Sequence, residues 1–359
     1  MGKRKKRIRA SSQRKAARLK DGFSDRLIPV RPLDLSGVKT VNDLVTQMAL
    51  TSFGGRSVGE AADILHEMVR DKDCFTVLTV SGAMTVAKMG LVIADMIDNG
   101  MAGAVVTTGA LIAHGFVESA GMTHFKYDRH MDDARLYDAG YNRIYDTLEL
   151  ERNLDDAEVI FKKVLDGIDR STILSSSFLN DRLGRYLYEN TEGRGMLKSA
   201  YSRKVPVFIP AYTDSELGLD LGIYNRAARL KKERPFAFDP LADLERFTEL
   251  IKKQKRMGIF TVGGGVPRNW AQQVGPYLDI IDKRLKSGGG FKRYQYGVRI
   301  CPEPVHWGGL SGCTYSEGIS WGKFTPQSEG GRWAEVYSDA TIALPLIVKA
   351  VLERLKARP

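Results

Sequence analysis

Long apolar runs are missing from this 359-residue chain. Stretches such as Ile342 to Val348 fall far short of the ~18 residues a membrane-spanning helix needs, so no membrane partner is expected. Cysteine is scarce as well. Cys74, Cys301 and Cys313 are too few and too far apart for a zinc knuckle or a disulfide framework, and they read as reduced, buried thiols. The five histidines, His66, His114, His124, His130 and His306, show no HExxH or similar ligand spacing, so no metal site is expected. The N-terminus lacks the apolar segment of a secretory signal, which points to a cytosolic protein.

Acid is absent from the first twenty residues, which hold ten Lys or Arg. The formal net charge is +11, so the rest of the chain is close to neutral: a basic arm on a neutral body. Like charges in a row repel and stay unfolded until they meet a polyanion. Nucleic acid is thus a candidate partner of the arm alone, with a merely solvated extension as the other reading. Residues 1–37, ending in a segment with Pro29, Pro32 and Gly37, form an arm and linker. Residues 38–359 form the body, whose 43% apolar and 27% charged residues suit a globular enzyme.

Within the body, FTVLTV (75–80), AVVT (104–107), VPVFI (205–209), IFTV (259–262), YQYGVRI (294–300) and AEVY (334–337) read as strands. Amphipathic or apolar segments between them read as helices, including Met84–Ile97, Leu241–Arg256 and Thr341–Leu355, with Pro345 placed in the first turn of the last. Strand, turn of small residues, helix, strand is the grammar of βαβ units. Roughly six such alternations with no break in composition predict an α/β fold, a single doubly wound and mainly parallel sheet with helices on both faces.

Dinucleotides bind beyond the carboxyl ends of such strands, where small residues let phosphate approach backbone N–H groups. Thr107-Thr108-Gly109 and Gly263-Gly264-Gly265 stand at such ends. Neither carries the GxGxxG spacing, and no GxxxxGK[ST] occurs. Asp214 and Asp339 sit at strand-to-helix junctions, where a carboxylate is either a helix cap or a cofactor contact. The segment SGCTYSEGISWGKF (311–324) is too rich in Gly and Ser for a regular helix. In it Lys323 follows Trp321. A lysine desolvated beside a large aromatic loses its proton readily and becomes a nucleophile toward imines and carbonyls; a solvated lysine is the plain alternative. Glu317 with Trp321 can hold a cation by charge and by the ring face, with a structural salt bridge as the other reading.

In order, VVTTGA (105–110), GYNRIYDT (140–147), PVFIPAYTD (206–214), the triple glycine at 263–265, SEGISWGKF (316–324) and VYSDATIALPLIV (336–348) resemble the motifs of deoxyhypusine synthases. The resemblance covers about residues 38–356. It implies a Rossmann-like, NAD-dependent, homotetrameric transferase that moves a 4-aminobutyl group from spermidine, through an imine on an enzyme lysine, to a lysine of a translation initiation factor of the five-A type. That enzyme lysine would be Lys323. Glu317, Trp321 and Trp270 would contact the polyamine; Thr107, Thr108, Gly109, Asp214, Gly264, Ser311 and Asp339 would contact NAD. The sequence also departs from the family. Asn269-Trp270 stands where a histidine is expected after the triple glycine, Leu219 and Leu310 replace acidic residues, and the glutamate expected past TTG falls near His114. These departures resemble the branch that includes homospermidine synthases, where putrescine is the acceptor. An inactive scaffold with an RNA-binding arm is the third reading.

Overall fold

Residues 20–288, 290–308 and 313–357 are described by the computed structural model. FTVLTV is the heart of the sheet. As β1 (Cys74–Val80) it is flanked by β2 (Ala104–Thr107) and β3 (Val207–Phe208) on one side, and by β4 (Arg256–Val262), β5 (Tyr296–Ile300) and β6 (Arg332–Val336) on the other. All neighbouring pairs are parallel. The order is therefore 3-2-1-4-5-6, and the direction in which strands are added across the sheet reverses between β1 and β4.

Alternation along each strand assigns its side chains to two layers. Leu78, Val80, Phe260 and Ile300 pack with the helices Phe53–Arg70, Gly90–Asp98, Gly109–Ser119 and Ala340–Lys356. Val77, Val106, Met257 and Ile259 pack with Pro240–Lys252, Gly265–Gln272 and Val274–Leu285. A sheet covered on both faces needs largely apolar strands, as the central ones are, while Arg299 and Glu335 on β5 and β6 are charged exceptions. Truncating one such buried aliphatic side chain costs about 2–5 kcal/mol. Among the described residues, no helix is long and apolar enough to cross a membrane.

Several boundaries differ from the sequence reading. The helix expected from Met84 begins at Gly90, because Lys88 adopts a left-handed φ of 62° and breaks the turn before it. Arg256 opens β4 instead of closing a helix, held by a bidentate pairing to Asp71. Pro345 lies inside its helix, which already starts at Ala340. The helix implied after Asp214 runs over Glu216–Leu230, while a three-stranded antiparallel sheet between Phe125 and Leu150 has no counterpart in the sequence reading.

Candidate functional site

The lysine segment is more ordered than its composition suggests. Thr314 caps the short helix Tyr315–Ser320 by accepting the Glu317 N–H at 3.0 Å. The helix then stops in a Schellman motif. Gly322 takes a φ of 71° and donates its N–H to the Ile319 carbonyl at 2.9 Å, and the Lys323 N–H reaches the Gly318 carbonyl at 3.0 Å. Gly318 has to be glycine, since a Cβ there would lie 2.6 Å from the ring of Phe324. That ring is fully buried between Tyr294 and Tyr315. The Lys323 carbonyl accepts the Tyr294 N–H at 2.9 Å. The backbone of Lys323 is thus pinned from both sides.

Its side chain is buried too, at 7% exposure. Nζ donates to Asn269 Oδ1 at 3.0 Å and lies 5.8 Å from the centre of the Trp321 ring. Burial pushes the amine below the ordinary lysine range and the Arg268 guanidinium works the same way, while Cys313 and Glu317 oppose them. The amine opens on a cavity of about 240 Å³ walled by Arg268, Asn269, Gln272, Cys313, Glu317 and Trp321 among others. Arg268 is itself buried, its guanidinium 5.4 Å from the Tyr315 ring centre.

A second cavity, about 200 Å³, lies at the switch point of the sheet. Its walls come from the carboxyl ends of four strands: Ser81 after β1, Thr107 to Gly109 after β2, Ala211 and Asp214 after β3, and Gly265 to Pro267 after β4. This is where an open sheet of this order takes a dinucleotide. Thr107 Oγ1 donates to the Val80 carbonyl at 3.0 Å, and Thr108 Oγ1 donates to the Gly82 carbonyl at 2.9 Å while capping the helix Gly109–Ser119. The free N–H groups of that helix start face the end of the sheet and suit a phosphate. Gly265 lines both cavities with a φ of 60°, and a Cβ on it would meet nothing within 4 Å. The small residues and helix start at this switch point suit the phosphate of a nucleotide cofactor, and Gly265 joins this cavity to that of the lysine.

Gly109 is the tightest point. A Cβ there would come within 2.3 Å of Ser215 Cβ, and Ser215, not Asp214, caps the helix Glu216–Leu230. Gly109→Ala is expected to cost about 1–3 kcal/mol by overpacking. An unchanged urea midpoint in that variant would show that the helix start is freer than its contacts imply.

The structure brings together Lys323, Glu317 and Trp321 in one cavity and Thr107, Thr108, Gly109 and Asp214 in the other. Gly264 lines neither, but its carbonyl accepts from Ser81 Oγ and ties the turn after β4 to the turn after β1. Asp339 acts as a helix cap, accepting the Thr341 N–H at 2.7 Å. Trp270 is not at the lysine: its ring packs on Phe247 and Phe208 at 5.0 and 5.7 Å, within the aromatic layer under the sheet. Ser311 lies outside the described residues.

No histidine replaces the missing one at Lys323 among the described residues that line its cavity. His306 is exposed. His114 and His124 are buried and both face Glu149, at 2.6 and 3.2 Å. These three could supply metal donor atoms. Lys88 Nζ lies 2.9 Å from His124 Nδ1, where an ammonium can only donate; the atoms that face one another across the cluster, His114 Nδ1, His124 Nε2 and both Glu149 oxygens, are in close contact but make no aligned hydrogen bond. Burial would push Glu149 up, but its contacts with His114 and His124 outweigh this and bring it to about 2. Burial likewise lowers His114, and Glu149 and Glu216 more than restore it, leaving it raised. Beside Leu219, Asp220 is pushed up to about 6, first by burial and then by Glu158, Glu216 and Asp155. Nothing in local spacing announces the Glu149 cluster, because the hairpin that carries Glu149 meets the helix of His114 only in the folded chain.

The chain is also similar to known proteins over most of its length. The profile of the deoxyhypusine synthase family matches residues 43–351. A relative from Methanosarcina acetivorans, described as probable deoxyhypusine synthase 2, is 33% identical over 91% of this chain and 90% of its own. One from Archaeoglobus fulgidus with the same description is 35% identical over 85% of this chain and 96% of its own. At the level of fold, a solved structure from Entamoeba histolytica, described as a candidate deoxyhypusine synthase, superposes with a TM-score of 0.58 at 14% identity, covering 90% of this chain and 97% of that one. The AgrE ternary complex with ornithine and NAD+ superposes with a TM-score of 0.51 at 11% identity, covering 86% of this chain and 34% of that one. By a profile match over most of its length and by relatives at a third identity, the chain belongs to the deoxyhypusine synthase family, whose members are transferases.

Proposed function

We propose that the protein transfers a 4-aminobutyl group from spermidine, through Lys323, to an acceptor amine, in an NAD-dependent reaction. The observation that carries this reading is the buried Lys323 amine, held beside Glu317 and Trp321 in a cavity that shares Gly265 with the switch-point cavity. NAD, when bound, supplies the hydride acceptor for the donor amine and returns the same hydride to the product. Thr107, Thr108, Gly109 and Asp214 would hold it at the carboxyl ends of β2 and β3.

Glu317 and Trp321 stand at the exposed rim, where a carboxylate and a ring face attract a cationic amine. Lys323, whose burial favours the neutral amine, attacks the oxidised carbon of the donor. The bond from that carbon to the donor nitrogen breaks, 1,3-diaminopropane leaves with the proton, and the four-carbon fragment stays as an imine on Nζ. The acceptor amine then displaces Nζ and frees the lysine.

The acceptor in this reading is a lysine of an initiation factor of the five-A type, in the cytoplasm, with the enzyme a homotetramer. A second reading, transfer to putrescine, is favoured by Asn269 in place of the family histidine and by the other departures near His114 and Leu219. One assay separates them: spermidine and NAD are supplied with either purified factor or putrescine, and the butylamine gain is followed by mass spectrometry. Borohydride added during turnover is expected to leave the four-carbon fragment on the Lys323 peptide. No adduct on that peptide would sink both readings and leave the inactive scaffold.

A further inference from the structure

We propose that Asn269 is a positioning residue for Lys323: its amide oxygen holds Nζ so that the nitrogen lone pair faces the cavity and not Asn269 itself. This rests on the reading of Lys323 as the nucleophile, and it explains what the chain does in place of the missing histidine.

The argument starts from the 3.0 Å contact between Nζ and Asn269 Oδ1. A lysine nitrogen approaching an amide in its ammonium form can meet only the oxygen, since it has nothing to accept with. When it loses its proton, the same N–H to Oδ1 bond survives. The second N–H and the lone pair then share the remaining directions, toward Trp321 and the cavity. An amide turned the other way would donate into the lone pair and quench the amine. The oxygen-inward orientation is thus the reactive one, and it is set before deprotonation.

An amide also has no charge state to change near neutral pH. A histidine here would titrate in the working range and alter the lysine with it. A carboxylate would favour the ammonium form. Asn269 sits on the helix Gly265–Gln272, which starts from the triple glycine. The turn that opens the switch-point cavity therefore also places the lysine's partner. Next to it, Trp270 locks the helix by packing on Phe247 and Phe208, which fixes the direction in which Asn269 points.

The test needs neither NAD nor spermidine. The full-length protein is incubated with butanal and cyanoborohydride across a pH series. Nζ and the aldehyde condense to an imine with loss of water, the hydride reduces the C=N bond to a secondary amine, and the butylated Lys323 peptide is quantified by mass spectrometry. The rate rises with pH through an inflection and reaches a plateau. Asn269→Asp is expected to move the inflection to higher pH by about 1–3 units, the effect of an adjacent opposite charge. Asn269→Ala is expected to lower the plateau about 10- to 100-fold through lost orientation. Asn269→Gln, which keeps the amide, is expected to hold the wild-type inflection and confirms that the helix still folds. Other lysine peptides in the same digests should not respond. An unmoved inflection in the aspartate variant, or a wild-type plateau in the alanine variant, overturns the proposal. Either result leaves aminobutyl transfer to be judged by its own assay, and a failed spermidine assay leaves this one intact.

Discussion

Lys323→Ala is expected to reduce turnover about 10⁴-fold or more, the scale on which removal of a covalent nucleophile acts, and to abolish the borohydride-trapped adduct. NAD affinity by calorimetry should stay within about twofold, because the lysine and its partners lie outside the walls of the switch-point cavity. Lys323→Arg separates charge from nucleophilicity: arginine keeps a cation in place but cannot deprotonate, so it should be as inactive as alanine. A third variant tests the physical cause. Burial holds Lys323 below its usual value, so between that lowered value and 10.5 the unfolded chain binds the extra proton. Stability from this group therefore rises with pH across that window and is reduced at neutral pH. Lys323→Met removes the buried amine, and its melting temperature at pH 7 should exceed that of the wild type while activity is lost, a trade expected at strained functional sites. Turnover retained within tenfold in the alanine variant would place the nucleophile elsewhere; a lower melting temperature for the methionine variant would mean the amine is solvated.

The parallel sheet was legible because burial on both faces makes its strands continuous apolar runs, and FTVLTV can hardly be anything else. The strand order was not, since nothing local tells β4 to pair with β1 and not with β3; that choice is made by the helices that cover each side. At the site, the motif order points to Lys323, Glu317 and Trp321, which the fold brings to one cavity. The capping signal Thr314-x-x-Glu317 was present in the sequence but was outweighed by the glycines. Those glycines have separate jobs, Gly318 making room for Phe324 and Gly322 ending the helix. The resemblance implies a substrate contact for Trp270, one of the pair that stands where the family histidine is expected. On a helix, however, adjacent residues point about 100° apart, so Asn269 and Trp270 cannot both face the lysine. Asp339 shows the reverse ambiguity: a carboxylate after a strand is a cap first, and here it caps.

The largest loss of stability is expected at Glu149. Its carboxylate is fully buried between His114 and His124, with Lys88 against the far nitrogen of His124. Removing one member of such a group strands the others, at a cost of about 3–5 kcal/mol, so Glu149→Ala should lose that much in urea unfolding at pH 6. The pH dependence follows from the two shifts. Glu149 is depressed from 4.5 to about 2, so its contribution is complete above 4.5 and fades as pH falls toward 2. His114 is raised from 6.5, so its contribution is complete below 6.5 and fades as pH rises through the raised value. The difference between wild type and variant should therefore be widest between about pH 4.5 and 6.5 and narrow on both sides. A flat difference from pH 4 to 9 would show that the cluster packs without ionising. The consequence reaches the site, because His114 lies on the helix whose first residue, Gly109, walls the switch-point cavity. Glu149 sits on the antiparallel hairpin that holds this helix from outside. Loosening that hold should weaken NAD binding in Glu149→Ala without touching the reactivity of Lys323 toward an aldehyde, which separates the two halves of the site by experiment.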